Sequence, residues 1–446
     1  MSQTRLPFCS PYRLFLAVAG TPDTAAEGIH DAYSRFVWRS MGIHHMLLVS
    51  ALTIIWPVLF VIMALIFTRK IGPVVRNATG KSIRRQLWEQ ATLATLHSIP
   101  PDKYYVFELF RDERRAHAND YILRYELKGG FHNLMHRRAK STPDERVTKT
   151  ELTDKLVFSR RCRAAGVDAP VVLAYLHRNA DSKKWELHQE ESEEVGLPKA
   201  NIFLKPAKGK GGRGCERWVF ADNRYHGPAG QVADENELLR HIAGLAEGRG
   251  RYLIQECLEN HPELRDIGGS LTSLRITSCK NERAQFEVTN ATLKLSFTPG
   301  KSVDNFHQGG GVAKVDVRSG VVGPASDSWK DRPCVWHVLH PANGARIAGR
   351  VLPCWQATVA LVERAHRLFP DQIMLGFDVA ITARGPALIE GNVQSGCDMI
   401  QRTHDDPVGR QRLGQLLAFH AASAIRLPLP RKAMTWYGPG HYFRPR

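Results

Sequence analysis

The chain is short of acid. Against 61 lysines and arginines stand 44 aspartates and glutamates, an excess of 17 positive charges over 446 residues. That balance favours anionic partners: phosphorylated ligands, nucleic acid or anionic lipid headgroups. No RNA- or DNA-reading motif accompanies the charge, so no nucleic-acid partner is expected. The eight cysteines (9, 162, 215, 257, 279, 334, 354 and 397) contain no C-x-x-C pair and read as free thiols in a reducing compartment. There is no internal repeat. What is present is a 43% hydrophobic composition over a length that supports a large core and more than one lobe.

A P-loop is also missing, although residues 201–214, NIFLKPAKGKGGRG, are rich in glycine and lysine. A P-loop places its lysine after the last glycine, followed by Ser or Thr. Here Lys205 closes an apolar run, and glycines 209, 211, 212 and 214 follow it. Glu216-Arg217-Trp218-Val219-Phe220 then reads as a second strand, giving strand, glycine loop, strand.

One stretch lacks charge altogether. Met46 to Phe67, MLLVSALTIIWPVLFVIMALIF, would span ~33 Å as a helix, enough to cross a bilayer core. It starts too far into the chain, and is too long, for a signal-peptide core, so it is expected to be a retained single-pass anchor; a buried helix or a hairpin broken at Pro57 is the alternative. Arg35 and Arg39 lie in the 20 positions before it; Arg69, Lys70, Arg76, Lys81, Arg84 and Arg85 lie in those after it. The positive-inside rule then puts the C-terminal body in the cytoplasm. Residues 1–45 are expected to be a tail, 68–150 a helical subdomain, 151–255 and 256–426 two lobes, and 427–446 a second tail able to touch headgroups.

The most informative residues are downstream. Residues 373–382, IMLGFDVAIT, and 386–392, PALIEGN, read as a β-hairpin centred on Arg384. About that centre Asp378 faces Glu390, and Asn392 shares the face of Glu390. Opposed carboxylates with Cβ atoms roughly 5 Å apart repel, and a divalent cation compensates economically. Mg²⁺ uses one or two carboxylates plus substrate phosphates, so an Asp, Glu, Asn set suits it. A solvated edge hairpin is the plainer alternative.

The order of these elements resembles the ATP-grasp superfamily, which includes D-alanine:D-alanine ligases and glutathione synthetases. The resemblance covers roughly residues 150–420 and implies an α/β (α+β) ATP-grasp fold, two α/β lobes sandwiching ATP, here preceded by one transmembrane helix. Thr153-Asp154-Lys155 resembles the first ATP-contacting lysine and Lys205-Pro206 the second, with Gly211 and Gly212 in the phosphate flap. Tyr252 to Leu258 resembles the adenine hinge, with Gln255, Glu256 and Leu258 as cofactor-binding positions and Glu263 as a ribose-binding acid. Asp378, Glu390 and Asn392 fall on the metal ligands; Arg275 and Lys205 are the catalytic candidates, Arg275 to stabilise charge on the transferring phosphoryl, with an ordinary buried salt bridge as its alternative, and Lys205 to neutralise the phosphates.

Leu271 to Ser278, Val303 to Gly311 and His340-Pro341 to Gly349 are similar to the sugar-transfer-associated ATP-grasp family, found with polysaccharide biosynthesis genes. Phe377 stands where that family is expected to carry Trp. The resemblance implies a ligase using ATP and Mg²⁺ on an acidic or sugar-linked substrate, with polysaccharide biosynthesis proteins as partners; the apolar run at 46–67 adds the expected membrane anchor and contact with membrane lipid. A sugar kinase and a non-enzymatic nucleotide-binding regulator remain alternatives, because the ATP-site residues do not distinguish acceptors. The acceptor pocket is expected at 304–311 and 395–404.

Overall fold

The computed structural model describes residues 11–15, 22–40, 42–141, 149–190, 196–209, 212–268, 271–297, 310–327 and 332–426. Helices α1 (Ala25–Ser40), α2 (Ile43–Thr79), α3 (Ile83–His97), α4 (Pro101–Val106), α5 (Asp112–Arg115) and α6 (His132–Ser141) come first. Two short helices follow, α7 (Lys149–Thr153) and α8 (Lys155–Ala164).

The first lobe is a seven-stranded sheet made from β1 (Val172–Arg178), β2 (Trp185–Gln189), β3 (Ile202–Pro206), β4 (Glu216–Ala221), β5 (Arg224–His226), β6 (Val232–Ala233) and β7 (Tyr252–Glu256), in the order β2-β1-β7-β3-β4-β5-β6. Helix α9 (Glu235–Ala246) covers it, started by an Asp234–Glu237 capping box and packing Leu238 and Ile242 against Trp218 and Ile254.

The second lobe is also seven-stranded: β8 (Ser273–Lys280), β9 (Phe286–Leu295), β10 (Gly311–Val315), β11 (Val322–Ser326), β12 (Trp336–His337), β13 (Met374–Thr382) and β14 (Gly385–Asn392), in the order β12-β11-β10-β9-β8-β13-β14. The two-residue side-chain period sorts its faces. Leu274, Ile276, Leu375, Phe377 and Val379 pack with α10 (Trp355–Arg367). Cys279 and Met374, on the other face, pack with α1 and α12 (Arg412–Ile425), next to α11 (Asp398–Thr403).

Three sequence expectations change here. Residues 25–40, expected within a tail, form α1, whose Ile29, Phe36 and Val37 are buried with Leu413, Leu416 and Leu417 of α12. That apolar spacing of seven and eight residues is a helical face that had a partner waiting at the far end of the chain. Helices α7 and α8, expected in the first lobe, insert Leu152, Phe158 and Cys162 into the core of the second, while Leu156 of α8 packs on Val172 and Leu253 of the first. The hairpin turn is the two-residue Ala383-Arg384, half a residue from the expected centre: Thr382 pairs Gly385 and Val379 pairs Leu388. A bulge between Asp378 and Val379 absorbs one extra residue and brings Asp378 opposite Glu390 after all.

Among the described residues one helix is long and apolar enough to cross a membrane, within α2. The tail at 427–446 lies outside the described residues.

Candidate nucleotide and metal site

Three adjacent strands set the floor of the site. In register, Asp378 of β13 lies between Glu390 of β14 and Arg275 of β8, so the three side chains share one face. Arg275 is itself opposite Thr292 of β9, which places Lys294, two residues on, on that face too. The contacts follow. Arg275 grips Asp378 with both ends of its fork, Nε to Oδ1 at 2.5 Å and Nη2 to Oδ2 at 3.1 Å, and Lys294 Nζ reaches Oδ2 at 3.3 Å. Burial pushes the Asp378 carboxyl up, but the Arg275 and Lys294 charges and the hydrogen bonds outweigh it and hold the acid well below its ordinary range. Asn392 Nδ2 donates to Glu390 Oε1 at 3.3 Å.

The opposite wall comes from the first lobe and from α8. Asp154 caps α8, accepting from Leu156 N at 3.1 Å, and is held by Arg251 at 2.7 Å. The Lys155 backbone N–H donates to Ala207 O at the end of β3. Its Nζ donates to Gly209 O at 3.1 Å and lies 3.6 Å from Glu390 Oε2. Lys155 therefore joins the glycine loop to the β13–β14 hairpin. Gly391 permits this: a Cβ there would come 2.7 Å from Leu152 Cδ2 and 3.1 Å from Phe158, so the Glu-Gly-Asn glycine lets α7 and α8 lie against β14.

Lys205, at the end of β3, is buried, and its pKa falls to about 8, first because of desolvation and then because of the Lys155 charge; Glu390 and Asp378 offset this only in part. The glycine loop joins antiparallel β3 and β4, as expected of strand, loop, strand. Gly212 and Gly214 have φ of +66° and +73°, a region closed to most side chains. Gly211 lies outside the described residues.

The hinge positions Gln255 and Glu256 end β7, which is paired on both edges, to β1 and β3. Glu256 braces the site instead of opening to it: its carboxylate accepts from Val171 N at 3.0 Å and pairs with Arg384 at the hairpin tip at 2.6 Å. Leu258 follows, half-buried, where the chain leaves the sheet. Glu263 is exposed on a 3-10 turn, its backbone carbonyl accepting from Arg350; among the described residues its carboxylate has no partner. Of the acceptor segments, 304–309 lie outside the described residues; at 395–398, His132 bonds to Ser395 O at 3.0 Å and Lys103 to Asp398 at 3.1 Å.

Lys294 was missed from sequence. Its signal was there, a lysine alternating out of the apolar run Ala291-Thr292-Leu293-Lys294-Leu295, but it becomes a site residue only through the β8–β9 register. Lys155, Lys205, Arg275 and Lys294 thus surround Asp378 and Glu390, an excess of positive charge that a magnesium-bound triphosphate would neutralise.

The model of one family, sugar-transfer-associated ATP-grasp, matches residues 135–412. The chain belongs to that family. It has the ATP-grasp fold, and the family is one of ATP-dependent enzymes. Solved ATP-grasp structures resemble it distantly. D-alanyl-alanine synthetase A from Vibrio cholerae is 11% identical at TM-score 0.35, covering 62% of this chain and 66% of that one. The VanG D-Ala:D-Ser ligase of Enterococcus faecalis is 11% identical at TM-score 0.35, covering 63% of each. The biotin carboxylase domain of Hydrogenobacter thermophilus 2-oxoglutarate carboxylase, in complex with MgADP and bicarbonate, is 15% identical at TM-score 0.33, covering 61% of this chain and 46% of that one. The ATP-grasp chain thus spans about two thirds or less of the length of these structures. No curated protein matches it.

The residues present fit a magnesium nucleotide. Among the described residues no three His, Cys, Asp or Glu side chains cluster; Mg²⁺ ordinarily uses one or two carboxylates and shares its other positions with water and substrate phosphates, which Asp378 and Glu390 can supply with the carboxylates. A carboxylate offers about four lone-pair sites, so Asp378 can hold Arg275 and Lys294 and still accept a cation.

Proposed function

We propose that this ATP-grasp protein is an ATP- and Mg²⁺-dependent carboxylate–amine ligase, working through an acyl phosphate on an acidic or sugar-linked precursor in polysaccharide or cell-envelope biosynthesis. We propose further that α2 holds it at a membrane, with its body on the cytoplasmic side, where ATP is. The observation that carries the enzymatic reading is the meeting of Lys155, Lys205, Arg275 and Lys294 around Asp378 and Glu390.

In this reading Asp378, Glu390 and Asn392 would hold Mg²⁺, which when bound supplies charge neutralisation at the transferring phosphate. Lys155 of α8 and Lys205 of the first lobe neutralise the phosphates, and the loop containing Gly211 and Gly212 covers them with backbone N–H groups. Leu258, where the chain leaves β7, offers backbone groups to adenine, with Gln255 and Glu256, paired within the sheet, shaping that edge, and Glu263 offers its carboxylate to ribose. Arg275 stabilises charge on the phosphoryl in flight. A substrate carboxylate oxygen bonds to the γ-phosphorus as the bond to ADP breaks. An amine then attacks the carbonyl carbon, expelling phosphate and giving up its proton to solvent.

Hydroxylamine tests this. An acyl phosphate is electrophilic at carbon and is intercepted as a hydroxamate, whereas a phosphate ester of a sugar hydroxyl is not. The solubilised protein with Mg·ATP, hydroxylamine and envelope precursors is expected to release ADP in step with hydroxamate. ADP release with a stable phosphorylated sugar and no hydroxamate would make it a kinase, and firm Mg·ATP binding without turnover would favour a regulator.

A further inference from the structure

Helix α2 has two faces. Val49, Trp56 and Met63, spaced by seven, are buried, and Ala64, Thr68, Ile71 and Val75 continue that stripe. The opposite face, Leu47, Leu48, Ile54, Ile55, Val58, Val61, Ile62, Leu65 and Ile66, is exposed, Ile54 to 79%. A helix that spanned a membrane as a lone anchor would leave the body at one end. This one is fastened at both. Val49 shares a cluster with Phe36 of α1 and Leu417 of α12, and Ile71 and Val75 share one with Tyr105 and Phe107. Between Val49 and Ile71 lie ~33 Å of helix, about the thickness of a bilayer core.

Crossing would therefore require the same folded body to stand on both sides of the membrane, or to sink into it. The second needs a lipid-facing surface beyond α2. Among the described residues, more than half of the exposed large apolar side chains belong to α2 itself; of the remainder, Val321 and Val351 pair on the second lobe, near Val338 and Leu339 in sequence, and Trp88 and Leu96 lie on α3. Flanking the apolar face are exposed Arg69, Lys70, Arg76, Arg84 and Arg85, with Arg85 stacked 4.5 Å over the exposed ring of Trp88 on α3. Cations and an amphipathic aromatic at the edge of an apolar face match the headgroup layer of an anionic membrane.

We infer that α2 lies in the plane of an anionic bilayer, with its outward face sunk to the headgroup–acyl boundary and its inward stripe kept on the body, so that α1 and the catalytic lobes stay on one side. This rests on the reading that α2 meets a membrane, and it changes what that contact is: the enzyme rides on the surface with its site beside the headgroups, instead of being tethered by a crossing helix. A precursor carried by a membrane lipid would be presented along that same plane.

The test uses the full chain, tagged at both ends, in sealed membrane vesicles of each orientation from expressing cells. The inference expects both tags to be digested in one orientation and both to be protected in the other. Opposite protection of the two tags would overturn it while leaving the membrane reading standing; a fully soluble protein would overturn both. Ile54→Lys with Ile62→Lys, whose outward positions touch no core, is expected to lose at least tenfold in membrane fraction while still binding Mg·ATP. Arg69→Glu with Arg76→Glu is expected to abolish the preference of purified protein for phosphatidylglycerol-containing over phosphatidylcholine vesicles. Retention of the first variant on membranes, or self-association through α2 in place of lipid binding, would refute the in-plane account.

Discussion

Replacing Lys205 by Met should stabilise the nucleotide-free protein and abolish its response to ATP. The methionine keeps most of the buried chain and removes the charge. A lysine whose pKa falls from 10.5 to about 8 holds its proton at neutral pH at a cost of about 3 kcal/mol, an order-of-magnitude figure for a group that is almost wholly buried. Because the folded value lies below the unfolded one, the unfolded chain binds the extra proton between about pH 8 and 10.5. The cost is complete below pH 8 and fades as pH rises through that window. Lys205→Met should therefore raise the apo Tm by a few degrees at pH 7, with the gain shrinking toward pH 10. Mg·ATP should raise the Tm of the unaltered protein and leave that of the variant unmoved, since a ligand stabilises only what it binds. Scanning calorimetry at pH 7 and pH 9.5, with and without Mg·ATP, reads all of this. A variant less stable than the parent at pH 7, or one still stabilised by nucleotide, would refute the reasoning.

Mg·ATP affinity itself should fall above pH 8, by up to tenfold per pH unit, as Lys205 loses the proton that nucleotide binding requires; isothermal titration in two buffers of different ionisation enthalpy would show proton uptake near pH 8.5. Gly391→Ala should cost about 1–3 kcal/mol by pushing Leu152 and Phe158 off β14, and should weaken ATP binding because Lys155 follows directly; denaturant melts and binding together check it. Arg402→Met should cost about 3–5 kcal/mol, since Arg402 Nη2 lies 3.1 Å from the fully buried Glu108 and its guanidinium also serves the carbonyls of Tyr105, Val106 and Pro333; adding Glu108→Gln should recover part of the loss in a double-mutant cycle.

The hairpin acids were readable because strand pairing is arithmetic: a short turn and a period of two bring Asp378 and Glu390 to within one residue of opposition. The turn was misplaced by half a residue, and only the bulge, which leaves no mark in composition, restored the pairing. Lys205 and the glycine loop were legible as strand, loop, strand for the same local reason. Lys294 and the Arg275–Asp378 fork were not derivable from local pattern, because both depend on which strand lies beside which, a property of the whole sheet. The partner of α1 was hidden for a similar reason: α12 lies almost 400 residues away, and amphipathicity states that a face will be covered without stating by what. An apolar run of 22 residues reads as a crossing helix; that Val49, Trp56 and Met63 face protein appears only when both ends are seen on one body.

In the proposed function the two lobes close their cations and hairpin acids on a magnesium nucleotide. Equilibrium binding of ATP to the solubilised full chain, measured with Mg²⁺ and again with the metal chelated, tests it most directly when repeated on Asp378→Asn and Glu390→Gln. The account predicts binding that strengthens at least tenfold with Mg²⁺ in the unaltered protein and loses that Mg²⁺ dependence in both variants. Equal affinity with and without the metal, or unchanged Mg²⁺ dependence in both variants, would contradict it.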